Sequence, residues 1–208
     1  MKIETTKQVK ITIGIPVYNG EKFLEEKITS ILNQDFVDFE LIISDNASTG
    51  STKEICSKFA TNDKRVKIFS HKKNLDAIWN FDFILKKAKG EYFMWIAVDD
   101  KILPGFYEKN IEVLEKNPNI VCSASQVKYF GKNRNYWAVR STRGPFKGLK
   151  KKIVGRFQNL QNYSTSGTFE SKFRYYLKLR GHHHIFYGMY RTEQLKKIYL
   201  GCKFHRGC

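Results

Sequence analysis

The chain has 208 residues, of which 41% are hydrophobic and 14% aromatic, a composition too apolar for an intrinsically disordered protein. No stretch contains the roughly 18 consecutive apolar residues of a membrane-spanning helix, and the polar N-terminus has no signal-peptide core, so we expect a cytoplasmic protein. The whole formal net charge of +17 lies in residues 119–208, where 19 Lys and Arg face two Glu, so we expect an anionic partner for this part.

Strands and helices alternate along the first 130 residues. Runs of apolar residues predict strands at 11–18, 39–44, 66–70, 92–98 and 120–130. Helical spacing follows each of the first four strands, with apolar faces formed by Phe23, Leu24, Ile28, Ile31 and Leu32, by Ile55 and Phe59, by Ile78, Phe81 and Leu85, and by Phe106, Ile111 and Leu114. Ser51 and Glu54 have the spacing of a capping box, and Pro104 is expected to start the fourth helix. The alternation predicts an α/β fold with a mostly parallel sheet flanked by helices.

Polar side chains follow the first four predicted strands, at the edge where an open parallel sheet binds its ligands. They are Tyr18, Asn19, Glu21, Asp45, Asn46, His71, Asn74, Asp99 and Asp100. Each of them alone has a simpler explanation as a turn former or a helix cap, as we would favour for Asn46 or Asn74. Their placement at one edge predicts a ligand site.

The two adjacent carboxylates Asp99 and Asp100 end the apolar run from Tyr92 to Val98. Like charges so close together repel unless a cation lies between them. A surface turn is the simpler interpretation, because Asp is common where strands stop. The alternative is a metal site, since Mg²⁺ and Mn²⁺ prefer oxygen ligands and often take only one or two carboxylates when substrate phosphates complete their coordination.

The segments IGIPVYNGEKFLEEKITSILNQDFVDFELIISDNASTGST and GEYFMWIAVDD resemble the nucleotide-sugar-binding half of the family 2 glycosyltransferases, from about residue 10 to residue 130. That resemblance implies the Rossmann-like GT-A fold and a metal-dependent, inverting transfer of sugar from a nucleotide-diphosphate donor, expected to be a UDP-sugar. The acceptor would be a saccharide or a lipid-linked saccharide in cell-surface polysaccharide or glycoconjugate synthesis.

The resemblance also implies roles for the residues at the strand ends. Asp99 and Asp100 would hold Mn²⁺ or Mg²⁺, and Asp45 would accept a hydrogen bond from the base. Nucleotide contacts are expected from Pro16, Tyr18, Asn19, Glu21, Asp45, Asn46, Asn74 and Asp99. Two departures from the family pattern concern the same site.

The first departure is Ala97, which stands where many relatives have a further aspartate of the metal motif, so either Asp of the pair could be the metal ligand. The second lies in KNLDAIWNF, where Asp76 replaces a glycine and Trp79 stands before Asn80 in place of an arginine that faces phosphate. Lys72 and Lys73 are the candidates for supplying the missing charge.

The remaining chain, residues 131–208, is expected to form a small basic acceptor-side subdomain next to the nucleotide-sugar-binding half at 1–130. A strand and a helix predicted within 185–195 would close it. Metal ligation by its His182–His184 run, or by Cys202, His205 and Cys208, is a weak alternative. Peripheral contact with an anionic membrane would suit its charge.

No catalytic base is evident in this sequence. The acids after Asp100 are Glu108, Glu112, Glu115, Glu170 and Glu193. Three of them belong to the predicted fourth helix, and the other two stand near the starts of cationic helices, where capping is the expected role. We therefore expect a C-terminally truncated enzyme that transfers sugar poorly. The other hypotheses are a non-catalytic nucleotide-sugar binder and, with less support, a basic nucleic-acid-binding protein.

Overall fold

The computed structural model of the protein describes residues 9–125 and 187–199. Its elements in chain order are β1 (Ile11–Val17), α1 (Glu21–Leu32), β2 (Phe39–Asp45), α2 (Thr52–Asn62), β3 (Val66–Ser70), α3 (Ala77–Lys87), β4 (Tyr92–Trp95), α4 (Phe106–Lys116), β5 (Cys122–Ser123), β6 (Met189–Arg191) and α5 (Thr192–Tyr199). The chain divides into two compact units, residues 1–125 with 183–208 and residues 126–182, and every residue described below belongs to the first.

The strands of this unit form one sheet in the order β3-β2-β1-β4-β6-β5. β1 runs parallel to β2 and to β4, and β2 runs parallel to β3, as the alternation of strands and helices predicts. Every residue of β2 and β4 is buried, as is all of β1 except Pro16, because helices cover the sheet. The mostly parallel α/β sheet is therefore confirmed.

The last two strands differ from the expectation. β6 pairs antiparallel with both β4 and β5, so residues 189–191 complete the main sheet, whereas the sequence suggested that they close a separate basic subdomain. Tyr190 is fully buried there, with its ring 6.5 Å from that of Trp95. Thr192 donates from its backbone N–H to Glu91 O at 3.0 Å and from its hydroxyl to Gly90 O at 2.6 Å.

β4 ends at Trp95, three residues earlier than predicted. Ile96 still donates its N–H to Gly14 O at 2.9 Å. The next residue of β1 whose N–H would point at β4 is Pro16. Proline has no N–H to continue the ladder, so the following chain is free to leave the sheet. The residues from Ala97 to Asp100 make a turn at this edge instead of a strand.

Helix faces and caps were predicted with mixed success. Helix α1 buries Leu24, Ile28 and Ile31 as expected, whereas Phe23 is 40% exposed. The predicted capping box is wrong, because the Ser51 side chain makes no cap hydrogen bond. Helix α4 begins at Phe106 after Gly105, two residues beyond Pro104, since Gly105 adopts the left-handed φ of 75° that suits a residue without a side chain.

Within the described residues, no helix combines the length and hydropathy needed to cross a bilayer.

Candidate active site

The loops that follow β1, β2, β3 and β4 emerge at the same edge of the sheet. Val17, the last residue of β1, pairs with Asp45 at the end of β2, and Asp45 pairs with Ser70 at the end of β3. The turn from Ala97 to Asp100, called the acidic turn below, follows β4, the other neighbour of β1. Parallel strands thus bring the predicted polar residues to one edge, where such sheets bind ligands.

The loops after β1 and β2 are clasped together by side chains. Asn19, with a left-handed φ of 51°, donates its N–H to Ser48 Oγ at 2.8 Å and accepts from Thr49 N at 3.0 Å through its side-chain oxygen. The hydroxyl of Thr52 accepts from Gly20 N at 3.0 Å and donates to Glu21 Oε2 at 2.8 Å.

This clasp explains what Asn19 and Glu21 do in the structure. Their side chains hold the second loop and thereby shape the site. The pKa of the Glu21 carboxyl lies below its usual value because its own backbone N–H and the Thr52 hydroxyl donate to it. Direct contact of Asn19 or Glu21 with a nucleotide stays a prediction.

Asp45 is a buried acceptor beside the clasp. The residue is 2% exposed, and its Oδ1 accepts from the Ser48 backbone N–H at 3.0 Å and from the Ser48 hydroxyl at 2.5 Å. In residues 9–125 and 187–199, no hydrogen bond engages Asp45 Oδ2. The ring of Tyr18, which follows β1, is 50% exposed. An open aromatic face and a fixed carboxylate therefore stand at adjacent strand ends.

Asn46 supports the loop that follows β3. Its Nδ2 donates to Asn74 Oδ1 and to the Asp76 carbonyl, both at 2.9 Å, and its Oδ1 accepts from Leu75 N at 3.0 Å. Asp76 has a left-handed φ of 77°, a conformation that suits glycine, and it caps α3 by accepting from Trp79 N at 2.8 Å. Asn46 and Asn74 thus position a loop, and their contact with a nucleotide stays a prediction.

An aromatic cluster flanks the same edge and was not anticipated. His71, just after β3, lies with its Nε2 2.8 Å from Ser44 Oγ. The rings of Trp79 and Phe83 each stand 4.7 Å from the imidazole, edge to face. Burial among these rings lowers the pKa of His71, against the opposing charge of Asp45. The imidazole is therefore a neutral hydrogen-bonding group at neutral pH.

The acidic turn after β4 contains both predicted metal ligands. Asp100 donates its N–H to Ala97 O at 3.3 Å, which closes the turn, and both Asp99 and Asp100 are exposed residues. The protein packed around part of Asp100 raises the pKa of its carboxyl, and the neighbouring charge of Asp99 raises it further.

Lys27 of α1 was missed in the sequence although it lies next to this turn. The residue is only 3% exposed, and its Nζ donates to the backbone carbonyl of Asp100. Lys27 stands on the apolar face of α1, three residues after Leu24 and four before Ile31, and a charge at such a position is the signal that could have revealed it. The cation that the two carboxylates require is thus partly supplied by the protein itself.

Tyr187, just before β6, is a second residue that the sequence did not assign to the site. Burial raises the pKa of its phenol to about 12, and the charges of Asp100 and Asp99 contribute to the rise. This places the phenol near the acidic turn and connects the C-terminal strand to the site.

The acidic pair fits a metal ion that the protein shares with a phosphate ligand. Among residues 9–125 and 187–199, no cluster of three or more His, Cys, Asp or Glu side chains could hold a metal ion alone. Two adjacent carboxylates match Mg²⁺ or Mn²⁺ that completes its coordination with phosphate oxygens and water. The other candidate ligands, His182–His184 and Cys202, His205 and Cys208, lie outside the described residues.

Three of the acids that follow Asp100 pair with lysines in the described parts of the chain. Glu115 pairs with Lys10 at 2.6 Å, Glu112 with Lys116 at 2.5 Å, and Glu193 with Lys196 at 3.1 Å. Lys10 precedes β1, so Glu115 lies at the opposite edge of the sheet from the acidic turn. Glu170 lies outside the described residues, as does most of the basic region.

Residues 12–195 match the profile of glycosyl transferase family 2. The chain belongs to this family. An uncharacterized glycosyltransferase of Haemophilus influenzae is 33% identical over 118 residues, which are 57% of this chain and 36% of the relative. Across the first three curated relatives, the matched part is 36% to 43% of the relative's length, so this chain corresponds to well under half of each.

Solved structures show the same GT-A fold. Staphylococcus aureus TarS 1-349, in complex with UDP-GlcNAc, aligns over 90% of this family 2 chain and 47% of its own, with a TM-score of 0.59 and 22% identity. The mannosyltransferase PcManGT of Pyrobaculum calidifontis, in complex with GDP-Man and Mn²⁺, aligns over 64% of this chain and 39% of its own, with a TM-score of 0.53 and 22% identity. The resemblance seen in the sequence is therefore confirmed for the family and the fold.

Proposed function

We propose that this chain binds a UDP-sugar and forms the donor half of an inverting glycosyltransferase. The observation that carries the proposal is the shared sheet edge, where the acidic turn, the buried Asp45 carboxylate and the open ring of Tyr18 emerge from neighbouring strands. Family membership supports sugar transfer, and the UDP-GlcNAc complex of TarS supports a uridine donor in the same fold.

The base pocket lies between Tyr18 and Asp45. An aromatic ring offers a stacking face to any base, and a fixed carboxylate oxygen accepts a hydrogen bond from a base N–H, such as that at N3 of uracil. Asn19, Glu21 and Pro16 shape this pocket through the loops after β1. Asn46 and Asn74 position its third side, where the loop after β3 begins.

Asp99 and Asp100 are the residues that would hold Mn²⁺ or Mg²⁺ beside the donor diphosphate. Such an ion, when bound, neutralises the charge that grows on the leaving diphosphate as the glycosidic bond breaks. The residues of the chain bind and orient the donor: Asp45 holds the base end, and the acidic turn lies at the diphosphate end. The Mn²⁺ complex of PcManGT supports a metal at this fold's site.

The acceptor would be a saccharide or a lipid-linked saccharide in polysaccharide or glycoconjugate synthesis, bound by the basic residues at 131–208. Their charge also suits peripheral contact with an anionic membrane on its cytoplasmic side. Inverting transfer needs a general base for the acceptor hydroxyl, and we assign none of the described acids to it.

The test is calorimetric titration of the protein with UDP, once in the presence of Mn²⁺ and once in the presence of EDTA. We expect binding that depends on Mn²⁺, and at least about a tenfold loss of affinity in the Asp99→Ala, Asp100→Ala double variant, because the ion loses both protein ligands. The matched control is Glu108→Ala with Glu112→Ala, which removes two exposed acids from α4 and should leave UDP binding intact.

Two outcomes would contradict the proposal. Equal UDP affinity with Mn²⁺ and with EDTA would remove the metal role, and an unchanged UDP affinity in Asp45→Ala would remove the base assignment to Asp45.

A further inference from the structure

Lys27 is a buried charged residue that the proposed function does not use. It occupies the face of α1 that packs on the sheet, where Leu24 and Ile28 are fully buried. Lysine is rarely buried this deeply unless it is paired, because removing an ammonium from water costs several kcal/mol. An apolar side chain would fill this position without that cost, so the lysine requires a specific explanation.

The groups around the ammonium supply one. Lys27 Nζ donates a charged hydrogen bond to the backbone carbonyl of Asp100. The carboxylates of Asp100, Asp99 and Glu26 favour the charged form, although burial outweighs them and lowers the pKa of the lysine. The carbonyl and two of these carboxylates belong to the acidic turn, and the third belongs to the adjacent residue of α1.

The turn has little other support from the sheet. β4 ends at Trp95, and the ladder to β1 cannot continue past Pro16. Within the turn, the hydrogen bond from Asp100 N to Ala97 O is long, at 3.3 Å. Helix α1, in contrast, is anchored in the core. Val98 of the turn packs against the core, and the bond from Lys27 adds a tie between the backbone of Asp100 and this rigid helix.

We propose that Lys27 is a positioning residue, whose ammonium ties the turn from Ala97 to Asp100 to α1 and so holds the two carboxylates in place for the diphosphate and its metal ion. The positive charge of the ammonium also offsets part of the negative charge of Asp99 and Asp100 before a donor binds. This inference rests on the proposed function and deepens it, because it assigns to a buried residue the geometry of the diphosphate end of the site.

The test compares two ligands that use different parts of the site. Lys27→Met removes the ammonium and keeps an unbranched apolar chain. We expect UDP with Mn²⁺ to bind about tenfold more weakly, the equivalent of one charged hydrogen bond, and uridine to bind as in the wild type, because Tyr18 follows β1 and Asp45 ends β2, outside the turn. Lys27→Arg retains charge and donors and should recover part of the loss. The control is Lys101→Met, which removes an exposed lysine directly after the turn and should leave the affinities for UDP and for uridine unchanged.

Hydrogen exchange separates local positioning from a general loss of stability. The Asp100 amide should exchange faster in Lys27→Met, while the amides of β1 keep their wild-type protection. If UDP with Mn²⁺ binds Lys27→Met as tightly as the wild type, the positioning role is wrong. It is also wrong if uridine affinity and β1 protection fall together with UDP affinity, since the lysine would then act on the whole fold.

Failure of the proposed function gives a different result. A wild-type protein that binds neither UDP nor uridine would contradict nucleotide binding, and unchanged exchange at the Asp100 amide in Lys27→Met would still overturn the tie between the lysine and the turn.

Discussion

The clasp between the first two loops can be tested by replacing Thr52 with valine. Valine has nearly the same shape as threonine but cannot accept from the Gly20 N–H, which is buried, or donate to Glu21. A buried N–H left without a partner costs about 1–3 kcal/mol, so we expect a destabilisation of about 2 kcal/mol. For a chain of this size, that corresponds to a fall in Tm of about 4–8 °C.

The same substitution should weaken UDP binding, because the clasp holds the loop of Tyr18 against the loop of Asp45. If half of the lost free energy, about 1 kcal/mol, is needed to restore the loops on binding, the UDP affinity falls about fivefold. Urea unfolding followed by tryptophan fluorescence and calorimetry with UDP measure the two effects.

Thr49→Val is the matched control for this experiment. The Thr49 hydroxyl is exposed and lies 3.5 Å from Asn19 Oδ1, so its loss should change stability by less than about 0.5 kcal/mol. A Thr52→Val protein that unfolds at the wild-type urea concentration would refute the reasoning, since the Gly20 N–H would then be satisfied in some other way.

Two further predictions concern the fold and its pH dependence. In Gly90→Ala the new Cβ would lie 2.4 Å from Thr12 N, a backbone atom that cannot move aside. Urea unfolding should therefore show that the free energy of unfolding falls by about 3 kcal/mol or more. The control, Gly50→Ala, meets only the Glu21 side chain and should cost far less. Because the pKa of His71 is lowered on folding, the unfolded chain takes up the proton first, and wild-type stability should fall below about pH 6.5 more steeply than that of His71→Gln. Parallel curves for these two proteins would contradict the second prediction.

The parallel half of the fold was predictable because its signals are local. β1 and β2 are buried on both faces and form continuous apolar runs, and their ends lie within a residue of the predicted bounds. The gathering of these polar residues followed from the topology alone, since parallel strands must release their next loops at one edge. Family membership was evident for the same reason, as the motif residues sit in these loops.

The features that were missed depend on contacts between distant parts of the chain. A strand was predicted within 185–195, but its pairing with β4 joins positions 97 and 99 residues apart, Phe93 with Tyr190 and Tyr92 with Arg191, which no local signal reveals. The failed capping box shows that spacing alone does not make a cap: the Ser51 side chain makes no cap hydrogen bond, and the hydroxyl of the next residue, Thr52, bonds to Gly20 and Glu21. The place of Lys27 on the apolar face of α1 signals a buried charge, but its partner is a backbone carbonyl, which no side-chain pattern identifies.

The late arrival of β6 has a consequence for synthesis of the protein. Until residues 189–191 leave the ribosome, β4 is an open edge lined by Tyr92, Phe93, Met94 and Trp95, and such edges pair readily with other chains. At about 5–20 residues per second, roughly 90 further residues take about 5–20 s to make. During that interval the backbone groups at the open side of β4 are available for pairing with other chains unless a chaperone or the ribosome surface covers them.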